Sequence, residues 1–193
     1  EGIMEKKTDR RIRKTKQQLQ EGFIHLRKSK SIKDITVKEL CELTDLNRGT
    51  FYLHYKDIYD LSEQMENEII LKFEEALNSY SVDGETSPQT VMCKAFEIIK
   101  ENSDFCTCLL SNTGEMTFFN KLKTIIRDGC FQYWTELFSK PKKVETFDYF
   151  FNFMLYGCIG IIESWLNSGL KESPQEMAQL ASKVMLNGVT VLH

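Results

Sequence analysis

Proline and histidine are scarce in this 193-residue chain, which has three of each. So few prolines impose few breaks, and long helices are permitted. The histidines are His25, His54 and the terminal His193. They form no H-E-x-x-H pair, and no glycine-rich phosphate loop accompanies them. The six cysteines, at 41, 93, 106, 108, 130 and 158, show no paired zinc spacing. Cys41, Cys93, Cys130 and Cys158 sit in apolar periodic stretches, where a free thiol behaves as a small hydrophobe. Cys106 and Cys108 form a lone C-x-C. No nucleophile–base pair is evident either, so no catalytic residue, metal or cofactor is expected. Residues 1–20 are polar and basic and lack the apolar segment of a signal peptide. No run of about 18 uncharged apolar residues is present to span a bilayer. Reduced thiols without an export signal predict a cytoplasmic protein with no membrane partner.

What is present suits a folded domain or two. Hydrophobic residues make up 41% and charged residues 27% of the chain, which excludes extended disorder. The net charge of −3 does not by itself point to nucleic acid. Its distribution is uneven. Residues 1–56 hold 14 Lys and Arg against 8 Asp and Glu, a balance of +6, and residues 57–193 hold 11 against 20, a balance of −9. A basic N-terminal third on an acidic body can offer a local positive face to phosphate.

Apolar spacing is helical throughout and strand-like alternation is absent. Ile12, Leu19, Phe23 and Leu26 mark a first helix near 8–28, with basic residues crowding its start. Thr36 opens a short second helix with Val37, Leu40 and Cys41 on its face. Glu39, three residues after Thr36, completes a capping-box pattern. A third short helix near 47–54 turns Phe51 and Tyr55 inward. Asp57 caps a long helix bearing Ile58, Leu61, Met65 and Ile69. Residues 81–88 and Asn112-Thr113-Gly114 break the chain. Helices near 115–138 and 146–167 follow, and Pro174 starts the last one. The expectation is an all-α protein of about nine helices. A helix-turn-helix domain would occupy 1–57 and a C-terminal helical domain 58–193.

Residues 36–56 carry the function-bearing pattern. Two short helices joined by Asp45-Leu46-Asn47 form a helix-turn-helix, which braces one helix on phosphate while the next enters the major groove of double-stranded DNA. The turn needs a residue tolerant of left-handed backbone, and Asp45 can serve where glycine is usual. Asn47, Arg48 and Thr50 lie at the start of the second helix, where side chains reach base edges. Arg48 can donate two hydrogen bonds to guanine or pair with phosphate. Gly49 lets backbone approach DNA. Tyr52, His54 and Lys56 suit phosphate contacts, which fix register. The amide ends at Thr36 and Asn47 also suit phosphate.

The stretch Leu46-Asn47-Arg48-Gly49-Thr50-Phe51-Tyr52-Leu53-His54-Tyr55-Lys56, with Ile35-Thr36-Val37 before it and Asp60-Leu61 after it, resembles the DNA-binding domain of TetR-type regulators. Within them it is similar to a Firmicute-style subgroup that includes the dihydroxyacetone-kinase regulator. The resemblance implies that Thr36 contacts phosphate. It places Asn47, Arg48, Gly49, Thr50, Tyr52, His54 and Lys56 on the DNA side. Asp45 and Asp57-Ile58-Tyr59 depart from the family pattern. The second departure removes a basic residue, so affinity is expected to lean on Arg10, Arg11 and Lys14. The resemblance also implies a homodimer on a palindromic operator, repression as the commoner output, and release by a small effector.

Helix 146–167 is apolar on nearly every face, and Gly157 and Gly160 would admit a partner helix. With the last helix it is expected to form a dimer interface. Aromatic residues in the middle helices, among them Phe105, Phe118, Phe131 and Trp134, are candidates to line a pocket for a hydrophobic effector. An effector-free DNA-binding protein controlled by a protein partner is the alternative. A solvent-filled cavity would favour the first reading and a filled core the second.

Overall fold

The computed structural model describes the backbone of residues 2–79, 88–111, 116–137 and 144–189, and the side chains of 10–79, 89–110, 118–128 and 148–184. Among these residues there are nine α-helices, one 3-10 turn and no strand. The helices are α1 (Gly2–Arg27), α2 (Val37–Leu43), α3 (Arg48–Tyr52), α4 (Ile58–Asn78), α5 (Pro88–Glu101), α6 (Ser103–Ser111), α7 (Met116–Leu137), α8 (Val144–Asn167) and α9 (Pro174–Val189). The all-α expectation holds. Contacts divide the chain into two compact units, Glu1–Glu68 and Ile69–His193, with the division inside α4.

In the first unit, α1 packs on α2, and α2 on α3. Leu19, Phe23, Leu40, Phe51 and Leu61 are fully enclosed, and Tyr55 and Ile58 nearly so. Gly22 sets the closeness of α1 to α2. A Cβ there would lie 2.3 Å from Thr44 Cγ2 and 3.0 Å from Leu40 Cδ1. Thr44 cannot yield easily, because its hydroxyl donates to Leu40 O at 2.8 Å and its own carbonyl accepts from Gln18 Nε2 at 2.6 Å. Gly22→Val is therefore expected to destabilise the protein by about 1–3 kcal/mol through overpacking. Thermal melting should register this as a fall of several degrees, at roughly 2–4 °C per kcal/mol for this size. An unchanged melting temperature would mean that the two helices separate freely.

The second unit is built around α5, which packs on α6 and α9, while α8 packs on α6 and α9. Phe96 and Trp165 meet edge to face at 5.4 Å, and the Trp165 indole N–H donates to Glu172 O at 3.0 Å. Gly169 (φ 82°) and Leu170 (φ 57°) take left-handed backbone to end α8. Pro174 then opens α9 behind a complete capping box. The Ser173 amide donates to Glu176 Oε2 at 2.7 Å, and the Glu176 amide donates to Ser173 Oγ at 3.3 Å. These amide and hydroxyl bonds hold the Glu176 carboxyl below its ordinary range.

Candidate nucleic-acid interface

The reading head is assembled from its caps inward. Thr36 is the N-cap of α2, and its hydroxyl accepts from the Glu39 amide at 3.2 Å. The reciprocal half of the expected capping box is not made. The Glu39 carboxylate instead pairs with Lys30, whose ammonium offers it a stronger partner than a neutral amide. Asp45 adopts φ 52°, the left-handed conformation the turn requires. Asn47 caps α3, with its side-chain oxygen accepting from the Gly49 amide at 2.7 Å. A Cβ at Gly49 would stand 3.3 Å from that oxygen, so this glycine also keeps room for the cap.

Helix α3 is shorter than the sequence spacing suggests. It ends at Tyr52, and Leu53 and His54 continue as a turn in which the His54 amide donates to Phe51 O at 2.9 Å and the Tyr55 amide to the same oxygen at 3.0 Å. Phe51 and Tyr55 anchor this segment, with ring centroids 5.6 Å apart. Burial pushes the Tyr55 hydroxyl up to about 12, and the Glu68 carboxylate adds to the shift. The opposite face is open. Thr36, Asn47, Arg48, Gly49, Tyr52 and Lys56 are exposed, and Thr50 and His54 are half-buried. Six of the eight predicted residues are thus exposed and two half-buried, and none of them belongs to the core.

The α3–α4 junction is pinned by carboxylates. Asp57 Oδ1 accepts from the Asp60 amide at 2.8 Å, which caps α4. Asp60 Oδ2 accepts from the Lys56 amide at 2.7 Å. That backbone bond is the main reason the Asp60 carboxyl sits below its ordinary range.

Two features escaped the sequence pattern. A hollow of about 400 Å³ between α2 and α3 is lined by Lys38, Glu42, Asp45 and Arg48 among others, so charges of both signs flank Arg48. Cys41 borders it too. Burial raises its thiol, and the Arg48 charge partly offsets the rise. The second feature is Lys16. Its ammonium stands 5.5 Å from the Tyr55 ring centre and 3.4 Å from Gln64 Oε1. Burial lowers the His54 pKa from its ordinary value, and the Lys16 charge lowers it further.

Phe105 and Phe118 are buried. The side chains of Phe131 and Trp134 lie outside the described residues. Cys106 and Cys108 are buried in α6, and burial pushes the Cys106 thiol up to about 12. Among the described residues no group of three or more His, Cys, Asp or Glu is placed to hold a metal ion. One helix segment, Asp148–Asn167, is long and apolar enough to cross a membrane by length and composition.

Residues 86–187 match the TetR family model for the transcriptional regulator C-terminal region. No curated protein is matched by the sequence. Solved structures are similar over nearly the whole chain. A TetR transcriptional regulator from Streptococcus agalactiae superposes with a TM-score of 0.62 at 20% identity, covering 92% of this chain and 97% of that one. The dihydroxyacetone kinase operon activator DhaS gives 0.61 at 14% identity, with the same coverage of 92% and 97%. NalD of Pseudomonas aeruginosa, a secondary repressor of a multidrug efflux pump, gives 0.65 at 16% identity, again covering 92% and 97%. At these identities the likeness speaks for the fold.

Proposed function

The chain belongs to the TetR family of transcriptional regulators, and from that premise we propose that it binds a palindromic operator in double-stranded DNA as a homodimer, represses transcription, and is released by a small hydrophobic effector. The observation that carries the DNA-binding part is the two-sided construction of α3. Phe51 and Tyr55 fix it from within, while Arg48, Tyr52 and Lys56 stand free on the outside. A rigid helix with donors aimed at solvent is what major-groove reading requires. Thr36, Asn47, Arg48, Gly49, Thr50, Tyr52, His54 and Lys56 form the proposed contact set. Asn47 contributes mainly as a cap, since its side-chain oxygen is spent on Gly49.

The dimer surface we assign to α8 and α9. Tyr149, Phe153 and Tyr156 are 77%, 72% and 58% exposed and recur at helical spacing on α8. Added Cβ atoms at Gly157 and Gly160 would meet no described atom within 4 Å. The effector part follows from the family premise. Phe105 and Phe118 are packed core residues, and a thermal-shift screen of apolar ligands is its test. A stabilising compound that also releases DNA is the expected result, and a screen without one sinks that part.

Fluorescence anisotropy with DNA fragments selected from the genome tests the central reading. Sequence preference over random duplex that weakens with salt is expected. No preference at any salt would defeat it.

His54 adds a pH signature. In the free protein its imidazole is held neutral at lower pH than usual. A phosphate beside it favours the protonated form, so binding takes up a proton. Operator affinity should therefore rise several-fold from about pH 8 to about pH 6, since one unit of pKa difference between bound and free states is worth about tenfold. His54→Gln should flatten that rise. A wild-type profile already flat would remove His54 from the interface.

A further inference from the structure

The hollow between α2 and α3 has a lining of mixed charge. Lys38 and Arg48 bring two cations, Glu42 and Asp45 bring two carboxylates, and buried Cys41 and half-buried Leu46 add apolar surface. The formal charge of the lining is therefore zero. A hollow shaped for phosphate would be net positive, because the anion brings a full charge that cations or amides must offset. The major-groove edge of a base pair carries no net charge and sets donors and acceptors side by side. The lining matches the base edge and not the phosphate.

Glu42 stands one turn after Lys38 on α2, and their side chains pair at 3.8 Å. Both are about two-thirds exposed, so the pair is weak and opens at little cost. Arg48 opens α3 on the other side of the hollow and is exposed too. The turn between the helices is fixed by the left-handed Asp45 and by the Leu46 amide, which donates to Cys41 O at 3.0 Å. A carboxylate and a guanidinium on two fixed helices thus border one space. A G·C pair suits them. Guanine offers N7 and O6 to the guanidinium, and cytosine offers its amino group to the carboxylate. An A·T pair alternates acceptor, donor and acceptor, which sets one guanidinium N–H against an amino group.

We propose that Glu42 is a specificity-determining residue of α2, which accepts a hydrogen bond from the cytosine amino group of the same G·C pair whose guanine Arg48 reads. The proposal rests on the reading of α3 as the DNA-facing helix. Glu42 acts in two directions. On the right base pair its carboxylate gains a donor. On any other sequence it remains an anion near phosphate and opposes binding, with Lys38 offsetting part of that repulsion. Glu42 therefore sharpens the choice of operator and restrains binding to random DNA at the same time.

Selection from a random duplex library, followed by anisotropy at about 50 and about 200 mM KCl, compares full-length wild type with Glu42→Ala, Glu42→Gln and Arg48→Ala. The wild-type half-site should contain a G·C pair at one position. Glu42→Ala should cut the preference for it over A·T about fivefold, the lower end for one base contact, and about 25-fold on a two-fold symmetric operator. Arg48→Ala should lose preference at the same position. Glu42→Gln retains a side-chain acceptor and should keep most of the preference. Both Glu42 variants should bind an arbitrary duplex several-fold more tightly than wild type at about 50 mM and less so at about 200 mM, because an anion is gone and Lys38 is released. A merely structural residue would lower both affinities and the melting temperature together. Here the affinities move in opposite directions, and melting temperatures should agree because Glu42 is exposed. If wild type selects an operator and Glu42→Ala selects it with equal preference, the proposal falls and the reading of α3 stands. Equal gains on operator and arbitrary duplex would make Glu42 a plain repulsive charge and overturn it as well. A changed preference only at a position that Arg48→Ala leaves alone would overturn the shared base pair. If wild type selects no sequence, the reading of α3 falls and the proposal with it.

Discussion

Arg48→Ala is expected to abolish the preference for operator over random DNA while leaving the protein folded. Arg48 is the first residue of α3 and is exposed, so its removal uncovers no core. A two-pronged guanidinium contact with guanine is worth about 1–3 kcal/mol of discrimination, and a two-fold symmetric dimer makes it twice. The expected loss on the full palindrome is therefore roughly 30-fold to about 20,000-fold, at 1.4 kcal/mol per factor of ten. Binding to random duplex should fall far less, because the remaining cations still meet phosphate. Anisotropy on both duplexes reads the two effects apart. Equal losses on both would make Arg48 a phosphate contact, and base reading would pass to Thr50 and the flanking Lys38. Unchanged preference would remove α3 from sequence reading.

Much of this head was legible in the sequence because its signals are local. Asp45 has the type and place of a left-handed turn residue, and its φ is 52°. The four-residue spacing of Phe51 and Tyr55 turns both inward, and both are buried. Asp57 stands where a cap is needed and accepts the Asp60 amide. The misses follow from competition that spacing does not encode. Glu39 has the position for a reciprocal cap, yet Lys30, nine residues away in sequence, takes its carboxylate. The helix pattern ran on to 54, but α3 ends at Tyr52, where the chain tightens to bury Tyr55.

Long-range neighbours were beyond reach for the same reason. Lys16 and Gln64 are 48 residues apart, and nothing in either helix alone announces their contact. The break between α5 and α6 also passed unseen. It carries neither glycine nor proline, and Asn102 makes it by donating its side-chain amide to Ile98 O at 2.7 Å while its carbonyl accepts from the Cys106 amide at 2.9 Å. The apolar excess of α8, in contrast, is a bulk property of one helix, and so it was visible without any knowledge of neighbours.

That excess leads to the second large effect. Tyr149→Glu/Phe153→Glu should convert the protein to a monomer and cost it the operator. Both rings stand more than two-thirds exposed on α8, whereas Phe151, Met154 and Trp165 of the same helix are buried in the unit's own core. Two carboxylates on the outer face would have to be desolvated against their symmetry copies, a cost that the Lys123 ammonium, 5.7 Å from the Tyr156 ring centre, offsets only in part. Within the monomer the same carboxylates remain in water, so helical content should be retained. Joining two reading heads makes the second half-site contact intramolecular, a gain of about 10²–10⁴ in affinity, and that factor is what the variant should lose. Sedimentation velocity reads the mass and anisotropy reads the operator. A variant that stays dimeric would move the interface off this face, toward Leu180 and Val184 of α9 alone. A monomer that binds the palindrome as tightly as wild type would mean that the two heads act independently, and the case for a symmetric operator would fail with it.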